Sequence, residues 1–343
     1  MRILIISPTQ KGIGGVARHV QGLTKFLKEE GHEVEIISSE NTFTIPIRKL
    51  KNPSFMISSY LKTKFKKNYD IVHAQNPIAA LAMKNILGKK VLSIHGIHDE
   101  QIKLLHGELA GNIATNFDDK ALSWADTITV SSKEMSKYYS EKGFNIHYLT
   151  NAIDVKSLQG KSDKRFDKQI IYAARLSKEK GILEVIEMAK KLPDDIHLLI
   201  LGSGAEESKV KQLIKNKKNV HYLGYQNKEN TLSLIRGSDL LIQPSLHEGG
   251  LSYTLLESMA CKTPIICTNV GGGRDVLEHL KNAYIVESKN HMKLFDAVIE
   301  LMSDIQKREQ LAITAYESVK EFDWSIIGPK YLEIYEKLLN SSK

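Results

Sequence analysis

Twelve short runs of β-branched and aliphatic residues, separated by stretches with helical spacing, set the strongest limit on how this 343-residue chain folds. The first six are RILII, EVEIIS, DIVHA, KVLSIHG, TITVSS and IHYLT. The second six are QIIYAARL, HLLILGSG, VHYLGY, LLIQPS, PIICTNV and AYIVE. Helical patterns such as Val16–Glu30 and Leu183–Lys191 lie between them. Strands this uniformly apolar are buried on both faces, and strand–helix alternation places them in parallel sheets covered by helices. Twelve strands are too many for one comfortable doubly wound sheet. The stretch DVKSLQGKSDKRFDKQ, residues 154–169, is polar and aperiodic and reads as a linker. The expected fold is therefore α/β, with two Rossmann-like domains over 1–160 and 161–325 facing across a cleft. Open parallel sheets bind ligands at the carboxyl ends of their strands, so the loops after the strands should carry the chemistry.

Composition excludes several classes. Charged residues at 26% and hydrophobic ones at 42% describe an ordinary globular chain. Cys261 and Cys267, the only cysteines, make no disulfide framework and no metal-ligand spacing. They read as small buried hydrophobes in a reducing, cytoplasmic setting. Met1-Arg2 runs straight into a strand pattern, so no signal peptide is expected, and no apolar stretch approaches the roughly 20 residues of a membrane span. The net charge of +8 is uneven. No acidic residue occurs between Asn41 and Tyr69, where Arg48, Lys49, Lys51, Lys62, Lys64, Lys66 and Lys67 stand. In the 53–67 segment, Met56, Ile57, Tyr60, Leu61 and Phe65 share one helical face, with Lys62, Lys66 and Lys67 beside or opposite it. Such a helix is either a basic amphipathic element for an anionic membrane surface or a core helix whose lysines are merely solvated. The sequence leaves both open. No aromatic platform interleaves the lysines, so no nucleic acid is expected as partner.

The loops narrow the chemistry. After the first strand, Gly12, Gly14 and Ala17 match the G-x-G-x-x-A form of a dinucleotide loop. Five residues, Ser7–Lys11, separate the strand from Gly12, where a dinucleotide turn follows its strand almost directly. Glu33 and Glu35 lie too early, and Glu40 too late, for the ribose acid of that motif. Gly14-Gly15 at a helix start still suits a phosphate through backbone N–H groups. In ARLSKEKG, Arg175 and Lys180 bracket a strand end and a helix entry. They pair a planar fork with a compact ammonium, as a diphosphate requires, or they form a solvated charged turn. Gly202 and Gly204 make a further backbone-lined turn. Glu248 in a glycine-rich loop and Glu257 in the next helix are candidates for ribose and sugar hydroxyls, or ordinary surface carboxylates.

The ordered set GG at 14–15, HG at 95–96, NAID at 151–154, ARLSKEKG, LGSG, LG at 223–224, PSLHEGGLSYTLLESMACKTPII and VGGGRD resembles the retaining glycosyltransferases of family 4, which have the GT-B fold. The likeness spans nearly the whole chain. It implies that the final segment FDWSIIGPKYLEIYEKLL returns as a helix, about 326–343, to the first, acceptor-side domain, leaving the second to bind the nucleotide sugar. By resemblance, Arg175 and Lys180 act on the donor phosphates, Glu257 on the ribose, and Glu248 and His95 near the transferred sugar. Gly14 and Gly15 lie over the phosphates, and Gly204, Gly249, Gly250 and Leu251 complete the substrate-binding set. His73 and His98 match no site position and read as ordinary histidines. Two departures stand out: eight residues separate Glu248 from Glu257, where the family usually has seven, and Asn151-Ala152 replaces its common Asn-Gly. A bulge at Gly249-Gly250 would leave Glu248 in place. The implied reaction moves a sugar from a UDP- or GDP-linked donor to a glycan or lipid hydroxyl with retention. No cofactor is expected, and without a D-x-D no metal. The alternatives are an epimerase or phosphorylase on the same architecture, or a non-catalytic nucleotide-sugar-binding protein. The expected location is cytoplasmic, with peripheral docking at the inner membrane face if the 53–67 segment binds lipid.

Overall fold

The computed structural model describes residues 1–12, 14–47, 50–66, 68–96 and 118–341. The chain divides into two compact units, Met1–Ala152 with Trp324–Lys343, and Ile153–Asp323. Unit 1 holds β1 (Arg2–Ser7), β2 (Glu33–Ser38), β3 (Ile71–Gln75), β4 (Lys89–Ile94), β5 (Thr127–Val130) and β6 (Ile146–Tyr148), in the order β2-β1-β3-β4-β5-β6. Unit 2 holds β7 (Gln169–Ala173), β8 (His197–Leu201), β9 (Val220–Gly224), β10 (Leu240–Gln243), β11 (Ile265–Thr268) and β12 (Tyr284–Val286), in the order β12-β11-β10-β7-β8-β9. Every pairing is parallel. All twelve expected strands are present, because an apolar run is stable here only between two helical layers.

Strand order locates the sites. In unit 1 the chain winds to β2 on one side of β1 and then to β3 on the other. In unit 2 it winds through β8 and β9 on one side of β7 and returns to β10 on the other. The loops on either side of such a reversal diverge and open a crevice at the strands' carboxyl ends.

Helix α1 (Gly15–Glu29) buries Ala17, Val20, Leu23, Phe26 and Leu27. The terminal helix Trp324–Asn340 packs on it through two glycines. A Cβ on Gly22 would lie 2.1 Å from Nε1 of Trp324, and one on Gly328 would lie 2.6 Å from the Phe26 ring. Each helix thus offers a glycine to the other's aromatic ring, which holds the chain's end in unit 1.

The stretch 154–169 is not a free linker. Ile153 bridges Asp323, and the Asp323 carboxylate accepts from Val155 N at 2.8 Å. Arg236 donates to the carbonyls of Leu158 (2.7 Å) and Lys161 (2.8 Å). Val155 and Leu158 are buried in the unit 2 core. Its anchors lie far away in sequence, so composition alone hid them.

Candidate functional site

Glycines stack the loops of unit 2 in sheet order. Gly181 has φ +71°, and a Cβ there would lie 1.9 Å from Pro244 O. Gly202 and Gly204 would likewise meet the Ala174 and Leu176 carbonyls, at 2.0 and 2.3 Å. Gly271 would meet Glu248 O at 2.1 Å, and Gly272 would meet Leu251 N at 2.4 Å. The loop after β7 is therefore wedged between those after β8 and β10, and the loop after β11 leans on the β10 loop. Backbone bonds lock the stack: Leu176 N donates to Ser203 O (3.0 Å), Leu246 N to Glu179 O (2.8 Å) and Gly272 N to Gly249 O (3.1 Å).

This stacking brings Lys180 to Glu248 across the β7–β10 reversal. Their charged atoms are 2.5 Å apart, with side chains only 19% and 12% exposed. Glu248 Oε1 also accepts from Ser245 Oγ (2.8 Å) and Gln243 Nε2 (3.2 Å). Despite the longer spacing to Glu257, Glu248 thus faces the β7 loop. Arg175 is well exposed and lies 3.5 Å from Glu179. Glu257 is buried in the helix Tyr253–Ala260, and Leu251 packs into the core, so Leu251 can offer a ligand only its backbone. Gly204 is exposed, and Gly249 and Gly250 lie in the β10 loop.

In unit 1, Gly14 caps α1 with φ −66° and ψ 151°, and no side chain caps the helix. Any residue adopts that conformation, and a Cβ there would meet nothing within 4 Å. The fold does not require glycine at Gly14, which leaves the exposed backbone of Gly14-Gly15 open to approach. The loop before it is held by Glu40, whose carboxylate accepts from Gln10 N (3.1 Å) and Lys11 N (3.2 Å). Burial alone would raise the Glu40 carboxyl, but donors from Ser38, Lys11 and Gln10 hold it below its ordinary value. Glu33 pairs with Arg2, and Glu35 with Lys66 and Tyr69. Each of the three acids weighed for a dinucleotide ribose has a partner within the fold.

Three histidines cluster beside this loop. His73 is fully buried, bonded to Tyr335 Oη (2.6 Å) and Ser93 Oγ (2.7 Å). His19 on α1 stacks edge-on against His95, with centroids 4.8 Å apart. His95 Nε2 meets Gln75 Oε1 at 2.8 Å. Burial pushes His95 down to about 4; burial, with His95 nearby, pushes His73 to about 3. Burial, then His95 and His73, holds His19 well below its ordinary value. The cluster is neutral near pH 7. His98 lies outside the described residues.

The helix α2 (Lys51–Thr63) buries Phe55, Ser59 and Thr63 and turns Ile57 and Leu61 outward, with Phe65 just beyond its end. The segment before it runs alongside: Ser54 Oγ accepts from Ile45 N (2.9 Å), and Ser58 Oγ donates to Phe43 O (2.6 Å). Phe43 (76% exposed) and Phe65 (86%) are the most exposed of six large apolar side chains here, with Ile47, Leu50, Ile57 and Leu61. Of the apolar face read from the sequence, Ile57, Leu61 and Phe65 are exposed, while Met56 and Tyr60 are half-buried. Lys62 is drawn to Asn41 O (2.5 Å) and Lys66 to Glu35, while Lys51 and Lys64 stay exposed. Arg48, Lys49 and Lys67 lie outside the described residues.

The structure therefore joins Lys180 to Glu248, and sets Arg175 and Glu257 on neighbouring elements of unit 2. Gly14, Gly15 and His95 belong to unit 1. Sequence reasoning missed His19, Gln75 and Asn76, and weighed Glu40 only as a ribose acid rather than as the anchor of the loop. Only the polar HAQN after the third apolar run signalled Gln75 and Asn76. Among the described residues no group of three or more His, Cys, Asp or Glu could hold a metal, and no helix is long and apolar enough to cross a membrane.

The model of the glycosyl transferases group 1 matches residues 156–318, and that of Glycosyltransferase Family 4 matches residues 13–157. The N-acetyl-alpha-D-glucosaminyl L-malate synthase of Bacillus anthracis is 25% identical over 385 residues, covering 100% of this chain and 99% of its own. Sucrose-phosphate synthase from Thermosynechococcus elongatus superposes with a TM-score of 0.85 at 18% identity, covering 99% of both chains. Anabaena HepE in complex with UDP-glucose gives a TM-score of 0.76 at 17% identity, covering 98% of this chain and 100% of that one. The fold is that of the GT-B glycosyltransferases.

Proposed function

The chain belongs to glycosyltransferase family 4, and from that membership we propose that it moves a hexosyl group from a nucleotide sugar to an acceptor hydroxyl with retention. The observation that carries this reading is the Lys180–Glu248 pair at the strand reversal of unit 2, held within glycine-stacked loops. Lys180 and the exposed Arg175 meet the donor diphosphate, and Glu257 accepts from the ribose. Glu248, released from Lys180 as the phosphates arrive, accepts from the sugar. The bond from the anomeric carbon to the phosphate oxygen breaks, and its electrons pass to the diphosphate. The acceptor oxygen bonds on the same face, and its proton goes to the departing phosphate oxygen. Charge grows on the diphosphate as this happens, so donors placed there beforehand lower the barrier. A UDP- or GDP-sugar fits, UDP-glucose being bound by a protein of the same fold. A panel of such donors read by thermal shift identifies the ligand, since binding the folded state alone raises stability as RT ln(1+[L]/Kd). Acceptor-stimulated release of nucleoside diphosphate tests transfer. Tight NAD binding with no nucleoside-diphosphate binding would falsify the reading.

The acceptor-side unit docks on an anionic membrane through Phe43, Ile47, Leu50, Ile57, Leu61 and Phe65, with Lys51 and Lys64 at the headgroups. Exposed apolar side chains next to uncompensated positive charge suit the anionic cytoplasmic leaflet, and each such Lys adds about 1 kcal/mol. Replacing Ile57, Leu61 and Phe65 by Ser should abolish co-sedimentation with anionic vesicles at low salt. Unchanged sedimentation would point to a soluble acceptor.

A further inference from the structure

Two consecutive residues at the end of β3 grip His95 in a way that packing alone does not explain. Gln75 is fully buried, and its Oε1 lies 2.8 Å from His95 Nε2. Its amide nitrogen is also buried and makes no hydrogen bond among the described residues. Asn76 has φ 72° and ψ 156°, a region that only glycine enters readily. Pro77 follows it and favours the extended ψ. Four bonds sustain the conformation or use it. Asn76 N donates to Ser93 O (2.8 Å), Asn76 O accepts from Ala79 N (3.0 Å), Asn76 Oδ1 accepts from His95 N (3.4 Å), and Gln75 holds the ring. Backbone strain persists where the surroundings over-determine it, and it gathers at functional sites. Here three of the four bonds end on residues 93–95.

We infer that Gln75 and Asn76 are positioning residues that hold His95 as its Nε2–H tautomer, leaving the Nδ1 lone pair to accept from a sugar hydroxyl. The inference rests on the reading of His95 as a residue beside the transferred sugar. The tautomer follows from the amide's orientation: with Gln75 Oε1 set at Nε2, the proton belongs on Nε2. His95 Nδ1 makes no bond among the described residues. His19 and His73, its titratable neighbours among the described residues, are buried, and His95 itself is half-buried. A neutral imidazole with one nitrogen committed is a directional acceptor rather than a charge.

Nitrogen-15 histidine spectra of the free, full-length protein test this without any donor. The expected wild-type spectrum shows His95 protonated at Nε2. Gln75→Leu should mix the tautomers and lower kcat by about 100-fold at unchanged donor KM, the scale of a misplaced group at a reacting centre. Gln75→Glu, which still accepts from Nε2–H, should restore the tautomer and most of kcat. If Gln75→Leu does not fold, Asn76→Gly serves instead. Glycine enters the conformation freely but lacks the acceptor for His95 N, and kcat should fall several-fold with a soluble, folded protein. A wild-type His95 protonated at Nδ1 overturns the clamp whatever the activity, as does a folded Gln75→Leu with wild-type tautomer and kcat. If no transfer is found but the tautomer depends on Gln75, the clamp stands and only the sugar assignment fails.

Discussion

Gly181→Ala tests whether glycine stacking assembles the proposed donor site. Gly181 has φ +71°, and an added Cβ would lie 1.9 Å from Pro244 O and 2.5 Å from Pro244 C. Left-handed backbone costs an L-residue roughly 1–2 kcal/mol. Alanine recovers about 0.4–1 kcal/mol by restricting the unfolded chain. The clash must be relieved by moving a backbone rather than a flexible side chain, and overpacking of that kind costs roughly 1–3 kcal/mol. The net loss is about 1–5 kcal/mol, or a fall in Tm of at least about 2 °C for a unit of this size. The β7 and β10 loops must separate by about 1 Å. That separation pulls Lys180 from Glu248 and should lower kcat by about 100-fold. Thermal melting and nucleoside-diphosphate release read the two effects on one preparation. A variant that melts within about 1 °C of wild type and turns over normally would refute the stacking argument, on the scale used above.

Gly14→Ala is the converse case: with no neighbour and an ordinary φ, it should leave Tm unchanged while slowing transfer if the Gly14-Gly15 backbone faces phosphate. Arg175→Ala and Lys180→Ala should each lower kcat by roughly 10²–10³-fold. Only Lys180→Ala should lower Tm, through a loss of about 1–3 kcal/mol in unfolding free energy, because it leaves the largely buried Glu248 with two neutral donors. Glu257→Gln should weaken donor binding, read by calorimetry, whereas Glu248→Gln should lower kcat more than affinity, because sugar contacts strengthen as the ring distorts. Acid should melt unit 1. His73 is neutral when folded, so the unfolded chain takes up its proton first, and stability held above pH 6.5 is lost as pH falls toward about 3. At pH 5 that single group costs about 2 kcal/mol, with His95 acting in the same direction. Denaturant midpoints that do not change between pH 7 and pH 5 would contradict it.

The strands, their parallel pairing and the glycine-rich turns after them were legible because they depend on local pattern. An apolar run such as Ile3–Ile6 is buried wherever two helical layers can cover it, and a glycine-rich turn after a strand announces itself within a few residues. The candidate site residues were legible as residue types. Their relations were not. Lys180 meets Glu248 only because β10 lies beside β7, an order set by the winding of the whole unit.

The linker, the basic helix and the histidines mark the same boundary. Residues 154–169 look unstructured by composition, yet Arg236 and Asp323 fasten them to unit 2. The period of α2 placed Ile57, Leu61 and Phe65 on one face, but a period cannot say which face meets the core. Phe55, Ser59 and Thr63 took that place, and the apolar row was left outside. His73 and His95 are two residues among twelve histidines in the sequence; burial beside Tyr335, Ser93 and Gln75 makes them neutral. Periodicity is a property of neighbours along the chain, and so the sequence determined the elements. Charge pairing and burial depend on neighbours in space, and those only the tertiary structure decided.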